Sequence, residues 1–279
     1  MPERLMSAAE IAEKTGIPED VIAHKFGVKH KPVPGPADTP SYMGLKAARR
    51  ALDQAGVDPA DVAKSMMLTK DELNRVLLVS GYRNVDLIDL SVKETSFMAD
   101  IGASGAAVLL EKGYDRNVIL GSSFRGDGSF AEDCVVPVLG AKAWTPKEED
   151  AKRAYFEVRD VESFKRKLGE RTLPNFFHVI RESLQRSGGL TEEDIDYLAI
   201  LHFKRSAHDE VLRELGLDEG RTTYLDEYGH LGQNDQVLSV ELGLKDGKIH
   251  DGDTVVMVGA GLGFVWASSV VRWGAQQET

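Results

Sequence analysis

Met43, Ala47, Ala51, Leu52 and Ala55 recur at helical spacing from Tyr42 to Ala55, and Gly56 follows as a stop, which predicts a helix. Ahead of it, Ser7 caps a short helix, AAEIAEKTG, and Pro18 opens a second turn at PEDVIAHKFG; the Pro-rich link KPVPGPADTP comes next. Arg75–Tyr82 (RVLLVSGY) and SGAAVLLEKG are β-type runs, and DRNVILGSSFRGDGSF reads as a strand and turn. Trp144 to Lys167 is charged and mixed, a surface excursion between two halves. The chain then predicts a helix at NFFHVIRESLQRSG, a turn and buried strand at LTEEDIDYLAILHF, helices at SAHDEVLRELG and QNDQVLSVELGLKDG, and strands at DTVVMVGAG and FVWASSVVRW. Helices alternating with apolar strands argue for a layered α/β fold.

The pattern repeats. Arg49 to Val62 lines up with Arg181 to Ile195, each a helix ending in Gly before an acidic turn. Downstream, VAKSMMLTKDELNRVLLVSGY lines up with LSVELGLKDGKIHDGDTVVMVGAG. Between these blocks the second copy holds roughly 43 residues, Asp196 to about Leu238, with a buried strand, a helix and a histidine-bearing loop; in the first copy Val62 runs straight into Ala63. Two similar halves are therefore expected, residues 1–143 and 144–279, with the first one shortened. Its start is expected to be short as well, since MPERLMSAAE offers no buried strand.

Composition narrows the partners. The 279 residues carry a formal net charge of -11, and no Lys/Arg run is interleaved with aromatics, so nucleic acid is not an expected partner. The longest apolar runs are far short of a membrane span, and the N-terminal residues lack an apolar signal core, so a cytoplasmic protein is expected. The single cysteine, Cys134, excludes intrachain disulfides and any CxxC metal or redox site. Its neighbours Val135, Val136 and Pro137 point to a buried, inert thiol.

The ending GDTVVMVGAGLGFVWASSVVRW, the glycine-rich FMADIGASGAAVLLEKG, the strand YLAILHF with its histidine and the loop YGHLGQNDQ together resemble the 3-oxoacyl-(acyl-carrier-protein) synthase III family of the thiolase superfamily. The resemblance implies a thiolase-like αβαβα pseudo-dimer of two halves, the first incomplete, and a homodimer. It also implies Claisen condensation of an acyl-CoA with malonyl-acyl-carrier protein, in fatty acid or polyketide biosynthesis, with a coenzyme A thioester as substrate and neither cofactor nor metal. A cysteine thiolate takes the acyl group, and donors beside the site stabilise the enolate left by loss of CO2.

Carried onto this chain, the implied catalytic residues are His202, at the end of a buried strand where a parallel sheet opens its crevice, and His230. At His230 the synthase III pattern has Asn, whereas elongating condensing enzymes use histidine. The turn Gly261, Leu262 and Gly263 is expected to offer backbone N–H groups to a thioester oxygen. Lys204 and Arg205 are candidates for contact with an acidic carrier protein. His24 and His208 read as surface residues on helices.

The nucleophile is the gap. No cysteine occurs from Val57 to Tyr82, where the family's would begin a buried helix. A non-catalytic thiolase-fold subunit that binds acyl thioesters or an active homologue is the alternative. A dinucleotide-binding reading of VGAGLGF fails because only 16 residues follow Gly263, and an α/β hydrolase lacks its GxSxG elbow.

Overall fold

A computed structural model describes residues 1–57, 74–138 and 147–275. Strand β1 (Leu5–Ser7) runs into helix α1 (Ala8–Thr15) through a capping box: the Ser7 hydroxyl accepts from the Glu10 N–H, and the Glu10 carboxylate accepts from the Ser7 N–H. β1 pairs antiparallel with β2 (His30–Pro32), and Met6, Ile11, Ile22 and Val28 close a small core there. No buried strand was expected in MPERLMSAAE, and what stands there is this short, partly exposed one. The strand is three residues long with only Met6 buried, so there is no alternation for a sequence reading to detect.

Helix α2 (Pro40–Ala55) starts two residues before the expected Tyr42, because Thr39 accepts from the Tyr42 N–H and Pro40 suits the first turn. It packs across the antiparallel pair β3 (Arg75–Tyr82) and β4 (Ser104–Glu111). The helix expected after Val62 falls on residues 58–73, outside the described residues, and so does the boundary after residue 143.

Strand β5 (Arg116–Gly126) is followed by the short pair β6 (Cys134–Val135) and β7 (Glu157–Val158). Helix α3 then runs over Val161–Arg186, with Asp160 accepting from the Ser163 N–H as its cap. The expected surface excursion up to Lys167 is therefore corrected at its end: from Val161 it is helix, with Phe164 buried. Pro174 lies inside the helix, and because proline normally opens or breaks one, the pattern reads as starting at Asn175.

The principal sheet contains β8 (Tyr197–Ile200), β9 (Thr254–Gly261) and β10 (Val265–Ala275), in the order β5-β10-β9-β8, with β8 parallel to β9 and the other pairs antiparallel. β5 precedes the expected boundary at residue 143 and yet closes this sheet, so the sheet crosses the boundary. All four residues of β8 are buried, as a strand covered on both faces requires.

Alternation assigns the faces. Tyr197, Ala199 and Val255 form one cluster with Val240 of helix α5 (Asp235–Lys245). Leu198, Ile200, Val256, Val258 and Val270 point the other way, into the core shared with Phe176, Val179, Ile180 and Leu184 of α3 and with Val211 and Leu212 of helix α4 (Arg205–Leu215). The result is helix, sheet, helix, with α5 on the side that faces the first half, where Arg50 of α2 pairs with Glu241. Among the described residues the first half contributes the two-stranded sheet β3-β4 and, through β5, one of the four strands of the principal sheet.

Candidate active site

The chain leaves β8 at Leu201, whose N–H still bonds to the Val258 carbonyl, and the next residue is His202. It therefore stands at the carboxyl end of a parallel strand, where an open α/β sheet forms its crevice. Its side chain is closed off from solvent, and neither ring nitrogen has a hydrogen-bond partner among the described residues. The Phe26 carbonyl faces the ring without completing a hydrogen bond and is the weakest influence on it. Burial holds the imidazole neutral, with its pKa lowered to about 3.

His230 arrives from the loop before α5. Its backbone N–H donates to the Asp100 carbonyl at 3.0 Å and its own carbonyl accepts from Gly102 at 2.9 Å, so this loop is sewn to the segment that leads into β4. Two glycines allow the approach, both at positive φ. A side chain at Gly229 would collide with the Asp100 carbonyl, and one at Gly232 with the Tyr82 ring.

The structure brings the two histidines to one carboxylate. Asp235 Oδ2 accepts from the His202 backbone N–H at 2.8 Å and from His230 Nδ1 at 2.7 Å, and Oδ1 accepts from the Leu231 N–H at 2.6 Å. Burial of the His230 ring opposes its charge, but the charge and hydrogen bond of Asp235, with Asp100 behind them, raise its pKa overall.

Asp100 faces His202 from the first half, its Oδ2 at 3.7 Å from Nε2. Burial pushes its carboxyl up to about 6. Lys31 is wholly buried beneath it, with Nζ donating to the carbonyls of Ala99 at 2.8 Å and Ile101 at 3.1 Å, and burial lowers its pKa to about 8. Asn234 donates to the Ser104 hydroxyl at 2.7 Å, a second tie between the halves. Among the described residues no set of three or more His, Cys, Asp or Glu side chains is arranged to hold a metal ion.

The remaining sequence candidates divide. Because β8 and β9 are parallel with Ile200 opposite Val258, β9 runs on through Gly261 at the end of the sheet where His202 emerges. Leu262 is 48% exposed at the tip joining β9 to β10, and no hydrogen bond between described residues joins Gly261, Leu262 or Gly263 to either histidine. Lys204 is exposed. Arg205 is engaged by Asp209 at 2.8 Å and by Glu219, and lies over the Tyr224 ring.

His208 corrects the surface expectation: it is 2% exposed, wedged by Phe203 and Tyr224, with its pKa lowered by burial to about 4. Its spacing was the missed signal, since it falls on the same stripe as Val211, Leu212 and Leu215. Asp100, Lys31 and Asp235 were missed outright. Only Asp235, five residues after His230, was close enough in sequence to be suspected. Cys134 sits buried in β6, where burial and Asp133 push its thiol up to about 12, and neither histidine is among the charges acting on it.

The model for "3-Oxoacyl-[acyl-carrier-protein (ACP)] synthase III C terminal" matches residues 184–273, and that for "3-Oxoacyl-[acyl-carrier-protein (ACP)] synthase III" matches residues 57–128. The beta-ketoacyl-[acyl-carrier-protein] synthase III of Sphingopyxis alaskensis is 25% identical over 309 aligned positions, covering 98% of this chain and 96% of that protein. The corresponding protein of Rhizorhabdus wittichii is 22% identical over 321 positions, with the same coverage. Since this chain has 279 residues, at least 30 positions of the Sphingopyxis alignment face a gap in it. Among solved structures, the 3-oxoacyl-[acyl-carrier-protein] synthase III of Aquifex aeolicus superposes with a TM-score of 0.80 at 16% identity, covering 98% of this chain and 97% of the other. The priming beta-ketosynthase of the R1128 polyketide pathway superposes at 0.77 with 21% identity, covering 99% and 94%. Both family models, which together span more than half of the residues, and the shared thiolase-like fold place the chain in the 3-oxoacyl-[acyl-carrier-protein] synthase III family of condensing enzymes.

Proposed function

We propose that the His202–His230 site works on acyl thioesters in the condensing chemistry of the family, an acyl-CoA meeting malonyl-acyl-carrier protein in fatty acid or polyketide biosynthesis. The observation that carries the reading is the pair of histidines held by one buried carboxylate, one ring neutral and unpartnered, the other paired. In loss of CO2, the bond from the α-carbon to the carboxylate breaks and its electrons move into an enolate. Neutral His202 donates a ring N–H to that oxygen, and His230 supports it. The carbanion would then attack an acyl-cysteine and expel the thiolate. The reaction balances without a metal or redox cofactor.

The only cysteine is Cys134, a protonated buried thiol, so the described residues supply the enolate half of the reaction and not the acyl-cysteine. At least 30 aligned positions face gaps in this chain, in keeping with a nucleophile-bearing segment that it lacks, which we place after Val62 from the repeat. The thioester would enter from the His230 side, where 21% of that side chain is exposed, with backbone N–H groups of Gly261 to Gly263 near its carbonyl oxygen. Lys204, more than the engaged Arg205, is the carrier-protein contact. The protein is read as a cytoplasmic homodimer joined through first-half strands, in keeping with the exposure of Leu78 and Val79 on β3; among the described residues no helix is long and apolar enough to cross a membrane.

Incubation of the purified chain with malonyl-CoA or malonyl-acyl-carrier protein tests this: CO2 and the acetyl thioester should appear without condensation product. Thioester binding with no CO2 release would instead favour the non-catalytic subunit, a reading supported by the missing site thiol.

A further inference from the structure

We infer that Asp235 is a positioning residue that makes His230 a charged hydrogen-bond donor to the thioester, giving the site a pH dependence that an amide at position 230 would not have; the inference rests on the function proposed above. Asp235 is wholly buried at the first position of α5, and its two oxygens are ringed by three N–H donors, from Leu231, His202 and His230. An ionised carboxylate only accepts, so Nδ1 of His230 carries the hydrogen of the 2.7 Å contact. Neutral His230 then has a lone pair at Nε2 and donates nothing there. Only the imidazolium presents Nε2–H to an enolate or thioester oxygen. The Asn of the synthase III pattern donates its amide N–H at any pH.

Every charged or titratable neighbour of His230 bears on this. Asp235 of α5 and Asp100 before β4 both favour the cation. Tyr82, at the end of β3, sets its ring edge-on at 6.2 Å, and its phenol is held neutral by burial. His202, at the end of β8, is held neutral by burial and so adds no competing charge. Lys31 of β2 acts on Asp100, holding its carboxyl down against burial. The same oxygen, Oδ2 of Asp235, takes the backbone of one histidine and the ring of the other, so a single atom sets their spacing.

The test pairs a spectroscopic and a kinetic readout on the full chain. In a nitrogen-15 NMR titration of histidine-labelled protein, His230 Nδ1 should stay protonated throughout while Nε2 titrates. Malonyl-CoA decarboxylation should fall about tenfold per pH unit once His230 deprotonates. His230→Asn should be several-fold slower at low pH but lack that limb, and Asp235→Asn should move the limb to lower pH. Loss of the Nδ1 proton in the titration, or a wild-type limb persisting in His230→Asn, overturns the inference. If Asp235→Asn does not fold, the wild-type spectrum and His230→Asn still decide. If the wild type releases no CO2, the proposed function fails, while the spectrum alone still settles the role of Asp235.

Discussion

Nε2 of His202 lies 3.7 Å from Oδ2 of Asp100, across the junction of the two halves, with no hydrogen bond completed between them. A neutral ring in that position is a donor held in reserve. Replacing it, His202→Ala, should lower malonyl-thioester decarboxylation on the order of a hundredfold or more, the usual cost of losing one such donor. The rate should be read beside a circular dichroism spectrum, which should not change.

Acid should destabilise the protein from pH 6.5 downward. Burial lowers His202 to about 3 and His208 to about 4 from an ordinary 6.5, so the unfolded chain takes up two protons that the folded chain refuses, and stability falls as pH falls. Asp100 acts the opposite way: raised to about 6, its folded carboxyl takes its proton first and adds stability as pH drops toward 4. At about 1.4 kcal/mol per pKa unit, two histidines outweigh one carboxyl. Urea midpoints measured between pH 7 and pH 4 should therefore decrease, and a flat or rising profile would contradict the burial of both rings.

His208→Phe should stabilise the fold. Both ring nitrogens of His208 lack hydrogen-bond partners among the described residues, and the ring lies between Phe203 and Tyr224. Removing unsatisfied buried polar atoms is worth roughly 1 kcal/mol. The urea midpoint at pH 7 should rise, decarboxylation should be unaffected, and the acid limb above should become shallower.

Cys134 should prove structural. A thiol pushed up to about 12 supplies almost no thiolate at neutral pH. Cys134→Ala should cost about 1 kcal/mol of stability and leave CO2 release unaltered. Peptide mapping after incubation with radiolabelled acetyl-CoA should find no stable label on Cys134; label there would refute the placing of the nucleophile in an absent segment.

The exposed pair on β3 predicts assembly. Leu78 and Val79 are 52% and 50% exposed on opposite faces of β3, a strand paired on one edge only among the described residues and so open to a second copy. Sedimentation at micromolar concentration should report a dimer, and Leu78→Glu should shift it toward monomer. A stable wild-type monomer would remove the homodimer from the reading.

Periodicity and end signals along the chain determined most of the elements: the Ser7 cap, the α2 stripe, the buried run of β8 and the hairpin of β9 and β10 all follow from interactions within a few residues. They also located His202, because a fully apolar run followed by a histidine marks the end of a covered strand. Where local signals were weak or contradictory, elements went unread: β1 is too short to alternate, and Pro174 masked the first half of α3. Tertiary structure alone decided how the site is charged. Asp100, Lys31 and Asp235 come from three distant segments, and none has a local pattern that marks it as covered; the docking of the loop at Gly229 against the segment that leads into β4 accompanies the full burial of Lys31 and Asp235 and leaves Asp100 largely covered. Burial of that kind is a property of what folds back from elsewhere in the chain. Local pattern therefore placed His202 at the end of its strand and the resemblance singled out His202 and His230 as candidates, while the fold decided which of the two rings is neutral, which is paired, and that the one cysteine stays a thiol.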